Sequence, residues 1–329
     1  MADPAERPSL GAVAIGRNEG DRLKACLRSL VPVCRHVVYV DSGSTDDSVA
    51  FARGLGVSVV DLDRNLPFTA ARARNAGFQH LMLAGTLPDF VQFVDGDCRL
   101  EPGWLEAGLA AISADPGLGL VTGWRSEIHP QRSVYNALFQ LDWHRPAGPI
   151  RTCGGDMMVR SSAFQQVGGF NPNVIAAEDD EFCLRLGKAG WRLERLPLTM
   201  TWHDADMTRF GAWWRRTIRD GHGFAQVGHM HQDHFRRERL RVWIYGLALP
   251  LIFLAGLVWA AWLSLAVLAV YLLSWFRTAR NLRRRGVGRS MAQRQAALLT
   301  ISKLPNLYGM ATFHARRLSG NDMTIIEYK

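Results

Sequence analysis

An uncharged segment at residues 243–276 constrains the fold of this chain more than any other feature. It holds 34 residues without Asp, Glu, Lys or Arg. One helix of that length would measure about 50 Å, well beyond the ~30 Å hydrocarbon core of a bilayer. Two short helices that turn near residues 260–264 fit a bilayer better. The segment therefore predicts a transmembrane hairpin, and the alternative is a buried pair of helices in a soluble protein.

Basic residues flank this segment on both sides. HFRRERLR precedes it and RTARNLRRRGVGR follows it, and basic loops mark the cytoplasmic side of membrane proteins. A hairpin leaves both basic clusters on that side, whereas a single span would separate them. Residues 291–313 are amphipathic with a break at Pro305. We expect this stretch to lie in the membrane interface or to pack on the hairpin.

The positive charge of the chain is concentrated in the same region. The formal net charge is +9, and residues 236–317 alone hold 14 Lys and Arg against one acidic residue. This distribution favours an anionic membrane surface over nucleic acid as the partner. We therefore expect contact with membrane lipids and no binding of nucleic acid.

The cysteines and the first residues bear on the cellular compartment. The five cysteines are scattered and form no C-x-x-C pair, which predicts reduced thiols rather than disulfides or a zinc site. MADPAERPSLG lacks the basic-then-apolar pattern of a signal peptide. Together with the hairpin, these features predict a protein of the cytoplasmic membrane whose larger domain, residues 1–235, lies in the cytoplasm.

The first hundred residues alternate between short apolar strands and helices. The predicted strands are residues 12–16, 37–40, 57–60 and 90–94, and the predicted helices are residues 21–30, 45–55 and 70–84. This alternation predicts an α/β fold with a mostly parallel sheet covered by helices on both faces. In such sheets, ligands bind beyond the carboxyl ends of the strands.

Polar residues follow three of these strands. Arg17 and Glu19 follow the first, Asp41 ends the second, and Asp95 and Asp97 follow the fourth in the sequence VQFVDGDC. Two carboxylates this close repel each other unless a cation lies between them. Mg²⁺ or Mn²⁺ binds few protein carboxylates and completes its coordination shell with phosphate oxygens and water. The position at one sheet edge favours a metal site over the alternative, a turn with an Asx cap.

Four other positions are ambiguous by themselves. Arg74 in ARARNAGF faces either a nucleotide or solvent. The acidic run AAEDDEFCLRL is either a helix start favoured by the dipole or the source of a general base. His203 ends LTMTWH and is a candidate metal ligand, although most isolated histidines are not. The histidines of GHMHQDHF, close to the membrane entry, are predicted to form a polar turn rather than a metal cluster.

Taken together, six segments resemble the family 2 glycosyltransferases with the GT-A fold. They are VAIGRNEGDRLKACLRSL, VVYVDSGSTDDSVA, AARARNAG, VQFVDGDCRLEPGW, GGDMMVRSSAFQQVGGF and EDDEFCLRLGKAGW, in family order over about residues 12–221. The resemblance implies a Rossmann-like GT-A domain over residues 1–235. A membrane-associated helical region over residues 236–329 would follow it.

The implied activity is inverting, metal-dependent transfer of a sugar from a nucleotide-diphospho-sugar in cell-envelope polysaccharide biosynthesis. The acceptor would be a lipid-linked or glycan hydroxyl at the cytoplasmic face of the membrane. A polyprenyl phosphate is the alternative acceptor. A catalytically inactive, membrane-bound partner is the alternative that is not an enzyme.

The resemblance also implies roles for individual residues. Arg17, Glu19, Asp41 and Arg74 would line the nucleotide site, Asp95 would lie near the ribose or sugar, Asp97 and His203 would bind Mg²⁺ or Mn²⁺, and Asp179 would be the general base. Its acidic neighbours leave the register of that base open by one residue. Family members often carry Q-x-x-R-W near the acceptor, but this region reads WWRRTIRDG. Trp213, Trp214 and Arg215 or Arg216 are the expected substitutes, and the missing Gln argues against processive polymer synthesis.

Overall fold

The structure is a computed structural model that describes residues 8–85 and 87–326. These residues form two compact units. The first comprises residues 8–129 and 139–206, and the second comprises residues 130–138 and 207–326. The helix Phe210–Met230 therefore belongs to the second unit, together with the residues that follow it. The functional division at residue 235 stays a prediction.

The first unit is built on a nine-stranded sheet. Its strands are β1 (Leu10–Gly16), β2 (His36–Asp41), β3 (Ser58–Asp61), β4 (Phe90–Asp95), β5 (Cys98–Leu100), β6 (Leu118–Glu127), β7 (Gly148–Pro149), β8 (Met157–Arg160) and β9 (Arg192–His203). The helices up to residue 188 are α1 (Asp21–Leu30), α2 (Ser48–Gly54), α3 (Ala70–Leu83), α4 (Trp104–Ala114), α5 (Val134–Trp143), α6 (Ser161–Gln166) and α7 (Glu178–Lys188). Helix α5 contains the boundary between the two units.

The strand order is β3-β2-β1-β4-β8-β6-β9-β5, with β7 paired to β9. The predicted α/β fold is confirmed, and the strands β1 to β4 are parallel as expected. The whole sheet is mixed, because β8 runs antiparallel to both β4 and β6. Strand β1 lies where the order reverses, with β2 on one edge and β4 on the other. Beyond the carboxyl end of such a strand is the usual ligand crevice of α/β sheets.

Both faces of the sheet are buried. Ala12 and Ala14 of β1 belong to one apolar core, whereas Val13 and Ile15 belong to the other, as the alternation of side chains along a strand requires. Gly77 of α3 lies directly over β1, since a Cβ at this position would be 2.3 Å from Val13 Cγ1. This close approach holds α3, and the Arg74 that it carries, against the centre of the sheet.

Strand β9 is longer than the sequence predicts. The apolar pattern of the sequence predicts a strand over residues 191–196, but the strand continues to His203. Irregular register between β6 and β9 occurs on either side of Pro197, and a bulge accommodates a residue that cannot donate a backbone hydrogen bond. The extension places His203 opposite Cys98 of β5.

The second unit is helical over the rest of its length. Its helices are α8 (Phe210–Met230), α9 (Arg236–Val242), a π-helical turn (Trp243–Ala248), α10 (Leu249–Trp259), α11 (Ala261–Arg284), α12 (Arg289–Ile301) and α13 (Lys303–Leu318). The amphipathic stretch predicted at residues 291–313 is therefore two helices. Its break falls at Ser302 rather than at Pro305. Pro305 lies in the first turn of α13, where a backbone N–H is not needed.

Two helices, Arg236–Trp259 and Ala261–Arg284, are long and apolar enough to cross a membrane. The chain turns between them at Ala260, inside the predicted turn. Gly256 allows α10 to approach α11, since a Cβ there would lie 2.5 Å from the Ser264 hydroxyl. The most apolar windows of the two helices are only 17% and 11% buried. Core helices of a soluble protein would be mostly buried, so this exposure favours the membrane hairpin.

Candidate active site

The turn Asp95-Gly96-Asp97 follows β4 beside the carboxyl end of β1. The Gly96 N–H donates a 2.7 Å hydrogen bond to the Ile15 carbonyl oxygen. A Cβ at position 96 would lie 2.9 Å from that same oxygen, closer than side chains normally approach a backbone atom. Glycine therefore lets the turn lie flat against β1, and both carboxylates are presented at the switch point of the sheet.

Two arginines contact the carboxylate of Asp95. Arg74 Nη2 lies 2.7 Å from Oδ1, and Arg125 Nη2 lies 3.0 Å from Oδ2. Burial raises the pKa of Asp95, but Arg74 and Arg125 outweigh it and hold this pKa below its ordinary value. The guanidinium groups of Arg74 and Arg125 thus balance the negative charge of Asp95, one of the two aspartates in this turn.

Arg74 connects the end of β4 to the start of α7. Its Nη1 lies 2.8 Å from Glu178 Oε1, and its guanidinium lies over the Phe170 ring at 5.3 Å. The residue is 2% exposed. Gly155 makes room for it, since a Cβ at this position would be 2.0 Å from Arg74 Nη2. Its expected contact with a nucleotide stays a prediction, and the contacts it makes here are with two carboxylates.

Asp156 and Arg125 form a second, buried ion pair in the site, with Arg125 Nη2 2.9 Å from Asp156 Oδ2. Asp156 Oδ1 accepts a hydrogen bond from the Asp95 N–H, and Oδ2 accepts one from the Thr201 hydroxyl. Neither residue was among the predicted site residues. Because β8 is antiparallel to β4, its first end lies at the edge where β4 finishes. Asp156 precedes an apolar strand in the GGD sequence, and that was the only available signal.

Asp97 and His203, the two expected metal ligands, lie next to each other. His203 Nε2 lies 3.3 Å from Asp97 Oδ2, and its Nδ1 lies 3.5 Å from Glu127 Oε2. Burial lowers the pKa of His203, but Asp97 and Glu127 outweigh burial and raise it. An imidazole held between two carboxylates, one of them a metal ligand, is a common arrangement in metal sites. Glu127 lies in β6, a strand missed by the prediction.

The donor atoms around Asp97 and His203 fit a divalent cation. Ligand atoms of Asp97, Cys98 and His203 all lie within 4.8 Å of one another. Adjacent ligands of an octahedral ion with bonds of ~2.1 Å are about 3 Å apart, close to the separation of Asp97 Oδ2 and His203 Nε2. Burial raises the pKa of the Cys98 thiol well above its ordinary value, which disfavours it as a ligand. The carboxylate suits Mn²⁺ or Mg²⁺, and the imidazole, a ligand typical of transition metals, favours Mn²⁺ of the two.

The acidic run of α7 divides into residues with different partners. Glu178 pairs with Arg74, and Glu181 pairs with Arg185. Asp179 Oδ1 accepts a hydrogen bond from the Asp180 N–H. Burial, followed by the charges of Glu178 and Asp180, raises the pKa of Asp179 to about 8. A strongly shifted carboxyl is typical of functional sites, and this one distinguishes Asp179 within the run.

Backbone strain immediately precedes this helix. Ala177 has a φ of 58° and occupies the left-handed region. This conformation is costly for a residue with a Cβ and concentrates at functional sites. The strained residue orients the first turn of α7, which carries Glu178 and Asp179.

The residues beyond β1 and β2 shape the neighbouring loop. Asp41 is buried and accepts hydrogen bonds from the Tyr39 hydroxyl at 2.8 Å and from the Gly43 and Ser44 N–H groups at 2.9 and 2.8 Å. Arg17 lies 5.5 Å from the Phe68 ring, and Glu19 pairs with Arg22 at 2.7 Å. These three residues lie at the predicted edge, and their contacts with a nucleotide stay predictions.

The aromatic and basic residues expected near an acceptor belong to the second unit. Trp213 and Trp214 begin α8, with ring centres 6.4 Å apart, and Trp213 stacks on Tyr135 at 6.0 Å. Arg215 and Arg216 follow them on the same helix. Their role in binding an acceptor stays a prediction.

Comparison with known proteins identifies the family. Residues 13–168 match the family model described as glycosyl transferase family 2. Residues 13–168 form a domain of this family. Residues 134–209 also match the model described as the N-terminal domain of galactosyltransferase. The first match includes Asp97, and the second includes Asp179 and His203.

Two curated relatives and one solved structure are similar to this chain over much of its length. The pre-mycofactocin glycosyltransferase of Mycobacterium tuberculosis is 30% identical over 66% of this chain. This chain spans about half, 47%, of the length of that relative. The N-acetylglucosaminyl-diphospho-decaprenol L-rhamnosyltransferase of the same organism is 28% identical over 59% of this chain and 75% of its own. A mannosyltransferase from Pyrobaculum calidifontis in complex with GDP-Man and Mn²⁺ is 18% identical with a TM-score of 0.61, over 95% of this chain and 89% of its own. That structural likeness confirms the GT-A fold.

Proposed function

We propose that the protein transfers a sugar from a nucleoside diphospho-sugar to the hydroxyl group of a lipid-linked or glycan acceptor, with inversion at the anomeric carbon. The observation that carries this proposal is the connected site at the switch point. The contacts of Arg74 with Asp95 and Glu178 join the turn that carries Asp97 to the first turn of α7, which carries Asp179. A donor diphosphate and a reacting hydroxyl need those two kinds of group.

In this proposal Asp97 and His203 hold Mn²⁺ or Mg²⁺, and Glu127 orients His203. The mannosyltransferase from Pyrobaculum calidifontis is described with Mn²⁺, which supports a divalent ion here. When bound, such an ion stabilises the negative charge that develops on a diphosphate leaving group. Arg74 and Arg125 keep Asp95 ionised and fixed in position for the donor, without rearrangement during the reaction.

Asp179 acts as the general base in this proposal. A carboxyl with a raised pKa is a stronger base than an ordinary Asp, and with a pKa of about 8 a minor fraction of Asp179 is ionised at neutral pH. It removes the proton of the acceptor hydroxyl, whose oxygen forms the new bond to the anomeric carbon as the bond to the diphosphate breaks. Attack from the face opposite the leaving group inverts that carbon.

The acceptor and its location follow from the second unit and the relatives. Two long, exposed apolar helices support placement at a membrane, with the basic flanks on the cytoplasmic side. The name of the rhamnosyltransferase relative includes a diphospho-decaprenol, which supports a lipid-linked acceptor. One observation favours a second acceptor class. With a pKa of about 8, Asp179 is mostly protonated at neutral pH, and a polyprenyl phosphate is ionised without a base.

Two substitutions test these assignments. Asp97→Asn should abolish Mn²⁺-dependent hydrolysis of the donor, whereas Asp61→Asn, at an exposed strand end, should leave it intact. Unchanged turnover in Asp97→Asn contradicts the metal assignment. Asp179→Asn should lower transfer to a hydroxyl acceptor by about 10²–10⁴-fold with Asp180→Asn as its control. A mild loss with a polyprenyl phosphate would instead support that acceptor.

A further inference from the structure

A cavity in the second unit has the composition of a site for an anionic amphiphile. It measures about 520 Å³, within the ~300–1,000 Å³ range of ligand pockets. Helices α8, α9 and α13 form its walls. Four basic or imidazole side chains line it, namely His229, Arg236, Arg239 and His314. None of its lining residues is acidic, among the residues that the structure describes. We call it the basic cavity.

Arg239 is held in place in the basic cavity by its contacts with α8 and the loop that follows it. Arg239 Nη2 donates a 2.8 Å hydrogen bond to the Gln232 carbonyl oxygen. Gly228 lets this arginine lie on α8, since a Cβ there would be 2.6 Å from Arg239 Nε. That Nε is buried and has no hydrogen-bond partner among the described residues. Burial lowers the pKa of His314, and neighbouring basic residues lower it further. A bound anion would offset the positive charges of Arg236 and Arg239.

Apolar side chains complete the cavity on the side of the uncharged segment. Leu240 and Trp243 line it and are 58% and 44% exposed. Trp243 is the first residue of the uncharged segment, and tryptophan is enriched where the membrane meets water. About 20 residues are needed to cross a ~30 Å hydrocarbon core. From Trp243 to Trp259, the end of α10, the uncharged part of this helix has 17 residues, within the range of about 17–25 for a span. Arg236 and Arg239 then lie at the depth of the headgroups.

We propose that the basic cavity binds the phosphate-bearing headgroup of an anionic membrane phospholipid. Arg236, Arg239 and the two histidines would surround the phosphate, and Leu240 and Trp243 would contact the first segments of the acyl chains. A free phosphate shares the anionic group but lacks the apolar part that these two side chains match. The site lies outside the glycosyltransferase domain of residues 13–168, and the proposal is independent of the donor, the metal and the base.

Thermal unfolding of the full chain in an uncharged detergent tests this proposal. A water-soluble short-chain phosphatidylglycerol should raise Tm in a saturable way, because a ligand that binds the native state stabilises it. Phosphatidylcholine of the same chain length and inorganic phosphate are the two comparison ligands. We expect no saturable rise with phosphatidylcholine and at most a weak one with phosphate. Equal responses to both phospholipids, or saturation by inorganic phosphate over the same concentration range, would overturn the proposal.

Arg236→Gln is the main variant, and Arg237→Gln is its matched control. Both side chains are exposed on α9, but only Arg236 lines the cavity. Arg236→Gln should weaken phosphatidylglycerol binding about five-fold, as expected for one basic residue at an anionic lipid surface, and Arg237→Gln less than two-fold. His314→Gln, added to Arg236→Gln, should weaken binding further. Equal loss in the two single variants indicates unspecific charge attraction and contradicts the site.

Discussion

Arg74 and Asp95 form a 2.7 Å ion pair beneath the turn that carries the candidate metal ligand Asp97. Through its other terminal nitrogen, Arg74 also contacts Glu178 at 2.8 Å. One buried guanidinium therefore links the end of β4, where the donor is expected, to the helix that carries the candidate base Asp179. A shift of this side chain would move both halves of the site.

Replacing Arg74 should destabilise the protein strongly. Arg74→Gln leaves Asp95 and Glu178 without this partner, and breaking a buried ion pair costs about 3–5 kcal/mol of the free energy of unfolding. Arg53→Gln is the control, since Arg53 and Asp61 form an ion pair that is 61% and 63% exposed, and exposed pairs contribute about 0–1 kcal/mol. Thermal unfolding measures both variants. Similar small losses in the two would show that the buried network is not important for stability.

Gly155→Ala tests the position of Arg74 without removing its charge. The new Cβ would lie 2.0 Å from Arg74 Nη2, whereas at Gly154 the nearest atom, Asp179 Oδ2, is 3.9 Å away. Displacing Arg74 misplaces both ends of the site, and a misplacement of ~1 Å can lower a rate by about 10²-fold. We expect such a loss of sugar transfer in Gly155→Ala and a much smaller one in Gly154→Ala. The prediction is wrong if both variants keep full activity.

The stability of the protein should depend on pH through Asp179. Its pKa rises from an ordinary 3.8 to about 8 in the folded chain, so the native state binds this proton more tightly than the unfolded state. The contribution of this bound proton to the free energy of unfolding is present in full below pH ~4 and is lost as the pH rises through ~8. Asp179→Asn cannot ionise and should exceed the wild type in Tm at pH 8–9 but match it near pH 4. Asp61→Asn, at an exposed strand end, serves as the control in the same melts. A difference in Tm between Asp179→Asn and the wild type that does not change with pH would contradict the raised pKa of Asp179.

Glu127 should control metal affinity without binding the metal itself. Its Oε2 lies 3.5 Å from His203 Nδ1, and loss of such an orienting carboxylate typically weakens metal binding about 10–100-fold. Electron paramagnetic resonance of free Mn²⁺ can follow the titration of Glu127→Gln. Glu106→Gln, an exposed position on α4, provides the comparison. Equal Mn²⁺ affinity in both variants would remove Glu127 from the metal site.

Much of the first half of the fold follows from local sequence. The apolar period of residues 21–30 predicted α1 with its observed bounds, and the turn residues after each strand marked the edge where Asp41, Asp95 and Asp97 lie. Local signals suffice here because parallel strands end in polar loops on one side of the sheet. The sequence predicted the strand β9 only over residues 191–196, since the bulge that tolerates Pro197 depends on the pairing of β9 with β6.

The sequence by itself determined the α/β alternation, the aspartate pair and the turn of the apolar hairpin near Ala260. Each depends on periodicity or on residues close together in the chain. The tertiary structure decided which charged side chains contact one another. Arg125 and Asp156 reach Asp95 through β6 and β8, and Glu127 reaches His203 across β6 and β9. Because these residues come from separate strands, no local sequence pattern predicts their contacts. The sheet pairing alone places opposite charges together in a buried site, where they hold the candidate catalytic carboxylates in position.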